Sequence, residues 1–120
     1  MIRKIATAAV YVADQKTGVE FWTRKVGFEI HREEADGNWV EVGPPGAQSC
    51  LVIYPKSLSE DWQQRKPSIV FECDNIQKTF EEMRDRGVHF KEEPKPMQWS
   101  TFAIFVDTEG NLHGLRELPR

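Results

Sequence analysis

Signatures of known catalysts are absent from this chain. It contains no glycine-rich phosphate loop, no GxSxG nucleophile elbow, no HExxH zinc helix and no Cys–His pairing at a known spacing. Two cysteines occur, Cys50 and Cys73, in neither a CxxC nor a zinc spacing. Their neighbours, Leu51-Val52-Ile53 and Val70-Phe71, predict two reduced cysteines buried in strands, as expected of a cytoplasmic protein. No apolar run approaches the roughly 20 residues of a membrane-spanning helix. Met1-Ile2-Arg3-Lys4 leads straight into a strand pattern rather than a secretory leader. Basic residues are scattered and the net charge is −3, so neither nucleic acid nor an anionic membrane is an expected partner.

The 120 residues suffice for one domain spanning 1–120, with 39% hydrophobic and 29% charged residues. Within that length the pattern occurs twice. An offset of 60 residues superposes Asp14 on Asp74, Gly27 on Gly87, Val10 on Val70, Tyr11 on Phe71 and Trp39 on Trp99. Each half opens with a strand-like run, 5–12 and 68–73. Each run meets an aspartate suited to cap a helix, and Gln77 suggests a capping box for the second. Helices are predicted over 15–26 and 75–86, each closed by a glycine and an apolar residue, Gly27-Phe28 and Gly87-Val88. Three strands follow each helix: 28–34, 38–43 and 49–54, then 88–92, 100–107 and 110–118. Turns are predicted at Ala35-Asp36-Gly37-Asn38, Gly43-Pro44-Pro45-Gly46 and Thr108-Glu109-Gly110-Asn111. The expected organisation is a module over about 1–55, a polar linker over 56–67 carrying Trp62, and a second module over about 68–120.

Such paired modules resemble the vicinal-oxygen-chelate superfamily of glyoxalases, bleomycin-resistance proteins and dioxygenases. The matching stretches are Val10-Tyr11-Val12-Ala13-Asp14, Phe21-Trp22 with Val26-Gly27-Phe28-Glu29, and Trp39-Val40-Glu41-Val42-Gly43-Pro44-Pro45-Gly46. Asp74-Asn75-Ile76 with Arg86-Gly87-Val88 and Phe105-Val106-Asp107-Thr108-Glu109-Gly110-Asn111-Leu112 complete the set. In the last stretch Thr108 and Glu109 replace the usual Pro and Asp. The resemblance implies an α+β fold of two tandem βαβββ modules, forming a curved, cup-like mixed sheet with helices on the outer face. It also implies a small-molecule cleft and, for many members, a homodimer.

Metal-dependent relatives place His or Glu at four inward strand positions, because an ion that polarises a substrate oxygen needs such ligands and open sites. Carried over by distance from the motifs, these positions fall on Thr7, Val52 (or its neighbour Cys50), Ser68 and Gly114. No His, Glu or Asp stands there, so no metal cofactor is expected. His31, His89 and His113 lie on different predicted strands, and structural or surface roles are expected for them.

Strand alternation points Ile5, Thr7, Ala9, Tyr11, Cys50, Val52, Tyr54, Ser68, Val70, Glu72, Leu112, Gly114 and Arg116 inward. Candidate ligand-binding residues are therefore Thr7, Tyr11, Trp39, Val52, Tyr54, Ser68, Glu72, Trp99 and Arg116. Glu72 is the candidate catalytic base and Arg116 a clamp for an anion, unless the two pair with each other at a solvated rim. Trp39, Trp62 and Trp99 are placed to stack on a planar ligand. Core packing or dimer contact fits Trp39 and Trp99 equally, and Trp62 fits a lid or an interface anchor. Three functions follow: a metal-free binder of an aromatic or hydrophobic molecule, an enzyme (lyase, isomerase or ring-cleaving dioxygenase) with an atypical metal set or acid–base chemistry through Glu72, or an interaction protein with a filled cleft.

Overall fold

The computed structural model describes residues 1–2, 5–98 and 100–117, apart from the side chain of Ala35. The chain divides into two compact units, Met1–Pro67 and Ser68–Arg120. Each is a βαβββ module with its own four-stranded mixed sheet, so the architecture is α+β in two tandem repeats.

Unit one runs β1 (Ala8–Val12), α1 (Gln15–Glu20), β2 (Glu29–Glu34), β3 (Trp39–Gly43) and β4 (Leu51–Pro55). Its strand order is β1-β4-β3-β2, with β1 parallel to β4 and the other pairs antiparallel. Unit two repeats this with β5 (Val70–Glu72), α2 (Ile76–Asp85), β6 (His89–Pro96), β7 (Thr101–Val106) and β8 (Leu112–Glu117), in the order β5-β8-β7-β6. In each unit the helix covers one face of the sheet. Val10, Ile53, Trp22 and Val42 are buried in the first, and Phe80, Met83, Phe105 and Leu115 in the second.

Strand ends retreat from the expected bounds where pairing ends. The partner β4 starts only at Leu51, opposite Ala8, so residues 5–7 lie outside the ladder and Ile5 is largely exposed. Cys50 and Cys73 consequently flank strands instead of lying within them, and both are only half-buried. Neither is in a disulfide.

The helix ends correct the internal repeat. Asp14 caps α1 as expected, accepting from the Thr17 N–H at 3.3 Å. In unit two the cap is Asn75, not Asp74: its side chain accepts from the Lys78 N–H at 3.0 Å, while Glu117 takes the Ile76 N–H. Gln77 forms no capping box and donates to Glu81 instead. Both helices end on a left-handed glycine, Gly27 at φ 99° and Gly87 at φ 97°, as the sequence predicts. The two repeats are thus offset by 61 residues at the caps and by 60 at the glycines. The extra residue of unit one is absorbed by a single π-helical turn, Phe21–Lys25, where Val26 N–H bonds Phe21 C=O at 3.0 Å. This wider turn lets the adjacent Phe21 and Trp22 both reach the core.

The turns form where predicted. Asp36 and Gly37 take positive φ, and Gly46, at φ 73°, lets Ala47 N–H bond Pro44 C=O in a type II turn. In the last hairpin the carboxylate of Asp107 accepts from Glu109 N–H, Asn111 N–H, Asn111 Nδ2 and His113 Nε2.

Candidate functional site

A pocket of about 690 Å³ lies on the face of the first sheet opposite α1. The side chains that alternate away from α1 build it: Thr7 and Ala9 with Tyr11 of β1, Val52 and Tyr54 of β4, and Trp39 of β3. The register explains the grouping, because Ala9 stands opposite Val52 and Tyr11 opposite Tyr54 on the parallel pair. Val52 forms a closed floor, being 2% exposed. Tyr11 and Tyr54 meet edge to face with centroids 6.3 Å apart, and Trp39 meets Tyr54 at 5.8 Å and 69°.

The remaining wall comes from the segment that the sequence predicts as a polar linker. Leu58, Ser59, Glu60, Asp61 and Arg65 line the pocket from a segment that makes two short 3₁₀ turns, Lys56–Leu58 and Trp62–Gln64. Arg65 anchors this segment. Its Nη1 donates to the Tyr11 hydroxyl at 3.1 Å and its Nε to Asp61 at 3.0 Å. The Tyr11 hydroxyl, then Asp61, holds the guanidinium still more firmly in its charged form. Trp62 does not line the pocket; the ammonium of Lys56 sits 4.1 Å above its ring. The four-residue spacing of Asp61 and Arg65 was the only sequence signal for a helical turn here.

The aromatic set has a charged support. Trp39 Nε1 donates to Glu41 Oε2 at 2.7 Å, and the other Glu41 oxygen lies 3.5 Å from Cys50 Sγ. Glu41 stands opposite Val52 on the β3–β4 pair, so it shares the pocket face.

Ser68, Glu72 and Arg116 belong to the second unit. Glu72 and Arg116 are opposed on the parallel β5–β8 pair and form an ion pair at 3.2 Å, each about half exposed. Ser68 is exposed. Trp99 lies outside the described residues.

The four positions that would hold a metal in a metal-dependent relative do not suit one. Thr7 is neutral, Val52 has no donor, Ser68 is a neutral hydroxyl, and Gly114 has no side chain. At Gly114 the space itself is taken: a Cβ would come within 2.5 Å of Phe102 Cζ and 3.2 Å of Val70 Cγ2. Among the described residues no three His, Cys, Asp or Glu side chains gather in a metal-binding group. His31 Nε2 donates to the Pro44 carbonyl, His89 is exposed, and His113 is fully buried against Asp107.

Two thiols and one carboxylate depart from ordinary behaviour or company. Burial pushes the Cys73 thiol up. Burial pulls the Asp107 carboxyl upward too, but hydrogen bonds from His113, Asn111 and two backbone N–H groups outweigh it and hold the group below the usual carboxylate range. Cys50 is instead distinguished by its contact with Glu41.

Comparison with known proteins accords with this geometry. The uncharacterized protein YetH of Bacillus subtilis (strain 168) is 48% identical over 120 residues, covering 98% of this chain and 100% of that protein. The crystal structure of a member of the glyoxalase/bleomycin resistance protein/dioxygenase superfamily from Sphaerobacter thermophilus DSM 20745 is similar, with a TM-score of 0.85 and 30% identity over 97% of this chain and 98% of that one. That of TnmS3, an antibiotic binding protein from Streptomyces sp. CB03234, matches with a TM-score of 0.80 and 26% identity over 98% of both chains. The model of the Glyoxalase/Bleomycin resistance protein/Dioxygenase superfamily matches residues 4–114, and the chain belongs to that superfamily.

Proposed function

We propose that this protein binds a small aromatic or hydrophobic molecule, without a metal, in the pocket of its first unit. The observation that carries this reading is the convergence of Tyr11, Trp39 and Tyr54 over the apolar floor of Val52. Apolar walls with a few polar groups are the usual composition of a small-molecule site. The antibiotic binding named for TnmS3 supports the same class of role. The absence of carboxylate or imidazole donors at Thr7, Val52, Ser68 and Gly114 supports the metal-free part.

A screen of small aromatic and hydrophobic molecules, neutral and cationic, by thermal shift tests it. A true ligand raises the melting temperature in proportion to the logarithm of its concentration, as mass action requires. The shift should vanish in Trp39→Ala. No shift across the screen, or a stoichiometric divalent ion in the purified protein, would overturn the reading.

An enzymatic alternative would rest on Glu72. That carboxylate is solvated and paired with Arg116, and it stands outside the pocket lining. The reading includes a cytoplasmic homodimer. Two cysteines outside any disulfide support the compartment, and the exposed Val70 and Leu112 on the second sheet support a partner; light scattering measures the assembly.

A further inference from the structure

We infer that the pocket of the first unit recognises its ligand through a compact alkylated ammonium group, held in the corner of Tyr11, Tyr54 and Trp39. This rests on the binding role proposed above and specifies its chemistry.

Ring geometry is the first ground. Tyr11 and Tyr54 are at 89° to each other, and Trp39 and Tyr54 at 69°. A flat molecule is best gripped between parallel faces. Steeply inclined rings make a corner, which suits a small tetrahedral cation approached from several directions. The negative face of a ring turned toward the pocket attracts such a cation, most strongly in tryptophan.

Polarisation of Trp39 is the second ground. Its indole N–H donates to the Glu41 carboxylate at 2.7 Å. A hydrogen bond to an anion pushes electron density into the ring and deepens the negative potential over its face. Glu41 is thereby a positioning residue for Trp39, and its charge lies on the same side of the sheet.

The charge of the wall is the third. Its ionisable groups are Glu60, Asp61 and Arg65 beside the two tyrosines. The guanidinium of Arg65 is already engaged by Asp61 and by the Tyr11 hydroxyl. Glu60 therefore leaves the lining with one negative charge in excess. An anionic ligand would face two carboxylates and find the nearby cation already held. A cationic one gains from Glu60 and from the rings together.

Choline and its tert-butyl carbon isostere have nearly the same shape and differ in charge, so they isolate the cation. Each is titrated into isotope-labelled protein while the Trp39 indole N–H resonance is followed, with naphthol as a neutral aromatic probe. Choline should move that resonance and bind about tenfold more tightly than the isostere, the ratio expected of a partly desolvated cation–π contact. Glu60→Gln should weaken choline by a few-fold and flatten its salt dependence. Trp39→Leu should remove the preference, with near-ultraviolet circular dichroism showing that the variant is folded. Equal binding of choline and isostere, or a response to naphthol alone, overturns the cationic assignment and leaves the binding role standing. Silence toward choline and naphthol alike overturns both.

Discussion

Replacing Asp107 by Asn should destabilise the protein by about 3–5 kcal/mol, far more than the loss of one charge on a surface would. The side chains of Asp107 and His113 are both fully buried. One oxygen of the carboxylate accepts from Glu109 N–H and Asn111 N–H, each at 2.9 Å. The other accepts from Asn111 Nδ2 at 2.9 Å and His113 Nε2 at 2.8 Å. An amide can satisfy one pair or the other. With its oxygen kept on the two backbone donors, its NH₂ faces the indispensable donors of Asn111 and His113. The imidazole has no escape by moving its proton, because its Nδ1 already accepts from Ile69 N–H at 3.3 Å. Each buried donor left without an acceptor costs about 1–3 kcal/mol. Urea unfolding followed by circular dichroism measures the gap at pH 7. The acid side supplies a second check. In the folded protein the Asp107 carboxyl lies below its ordinary value, so its ionised form favours folding above the unfolded value of about 3.9. That contribution fades as the pH falls through the ordinary carboxylate range toward the lower native value. Asn does not titrate, so the gap between the two proteins should narrow there. A gap under about 1 kcal/mol at pH 7, or one that stays constant down to pH 3, would refute the reasoning.

Gly18→Ala should cost about 1–3 kcal/mol despite the better helix propensity of alanine, because a Cβ there meets Val12 Cγ1 at 2.8 Å and Ile53 Cγ2 at 3.2 Å; urea midpoints at unchanged slope check it. Arg65→Ala should leave the urea midpoint nearly unchanged, since its ion pair with Asp61 is exposed, yet speed proteolysis within 58–65 by freeing that segment from Tyr11. Gly114→Asp should leave the protein without stoichiometric divalent metal by elemental analysis, because Phe102 fills the space into which the new side chain would project. In Gly114→Ala, the added substitution Phe102→Ala should cost less than it does in the wild type, a coupling that a double-mutant cycle reads directly.

The module plan was legible because its markers are local. A left-handed glycine after each helix and short-side-chain residues in each turn are requirements of backbone geometry, and they stood where expected. The cap of α2 was misplaced by one residue because a uniform offset hides a π turn. The adjacent apolar pair Phe21-Trp22 was the available sign, since an ordinary helix turn does not bring neighbours to one face with equal ease. Alternation through residues 7–11 and along β4 sets Thr7, Tyr11, Val52 and Tyr54 on one face, where they line the pocket with Trp39. The wall from Leu58 to Arg65 was not legible, because polar side chains outside a periodic element carry no signal of which surface they cover. The blocking ring of Phe102 was not legible either, since its direction depends on a rotamer and on the missing side chain of Gly114.

Equal registers carrying unequal residues explain why the aromatic pocket belongs to the first unit. Tyr11 opposite Tyr54 in the β1–β4 pair corresponds to Glu72 opposite Arg116 in the β5–β8 pair, and Ala9 opposite Val52 corresponds to Val70 opposite Gly114. The third strands follow suit. Phe102 stands opposite Arg116, and continuing the β3–β4 register one step beyond Val40 opposite Ile53 sets Trp39 opposite Tyr54. In the first unit Val52 fills the floor, and Glu41 ties the indole of Trp39 beside it. In the second, Gly114 leaves the floor bare and the Phe102 ring comes down onto it. The same backbone thus yields an aromatic pocket in one unit and, in the other, a filled floor beside an exposed ion pair. Duplicated architecture constrains where side chains can point; the choice of valine or glycine at one strand position decides whether an aromatic neighbour lines a cavity or closes it.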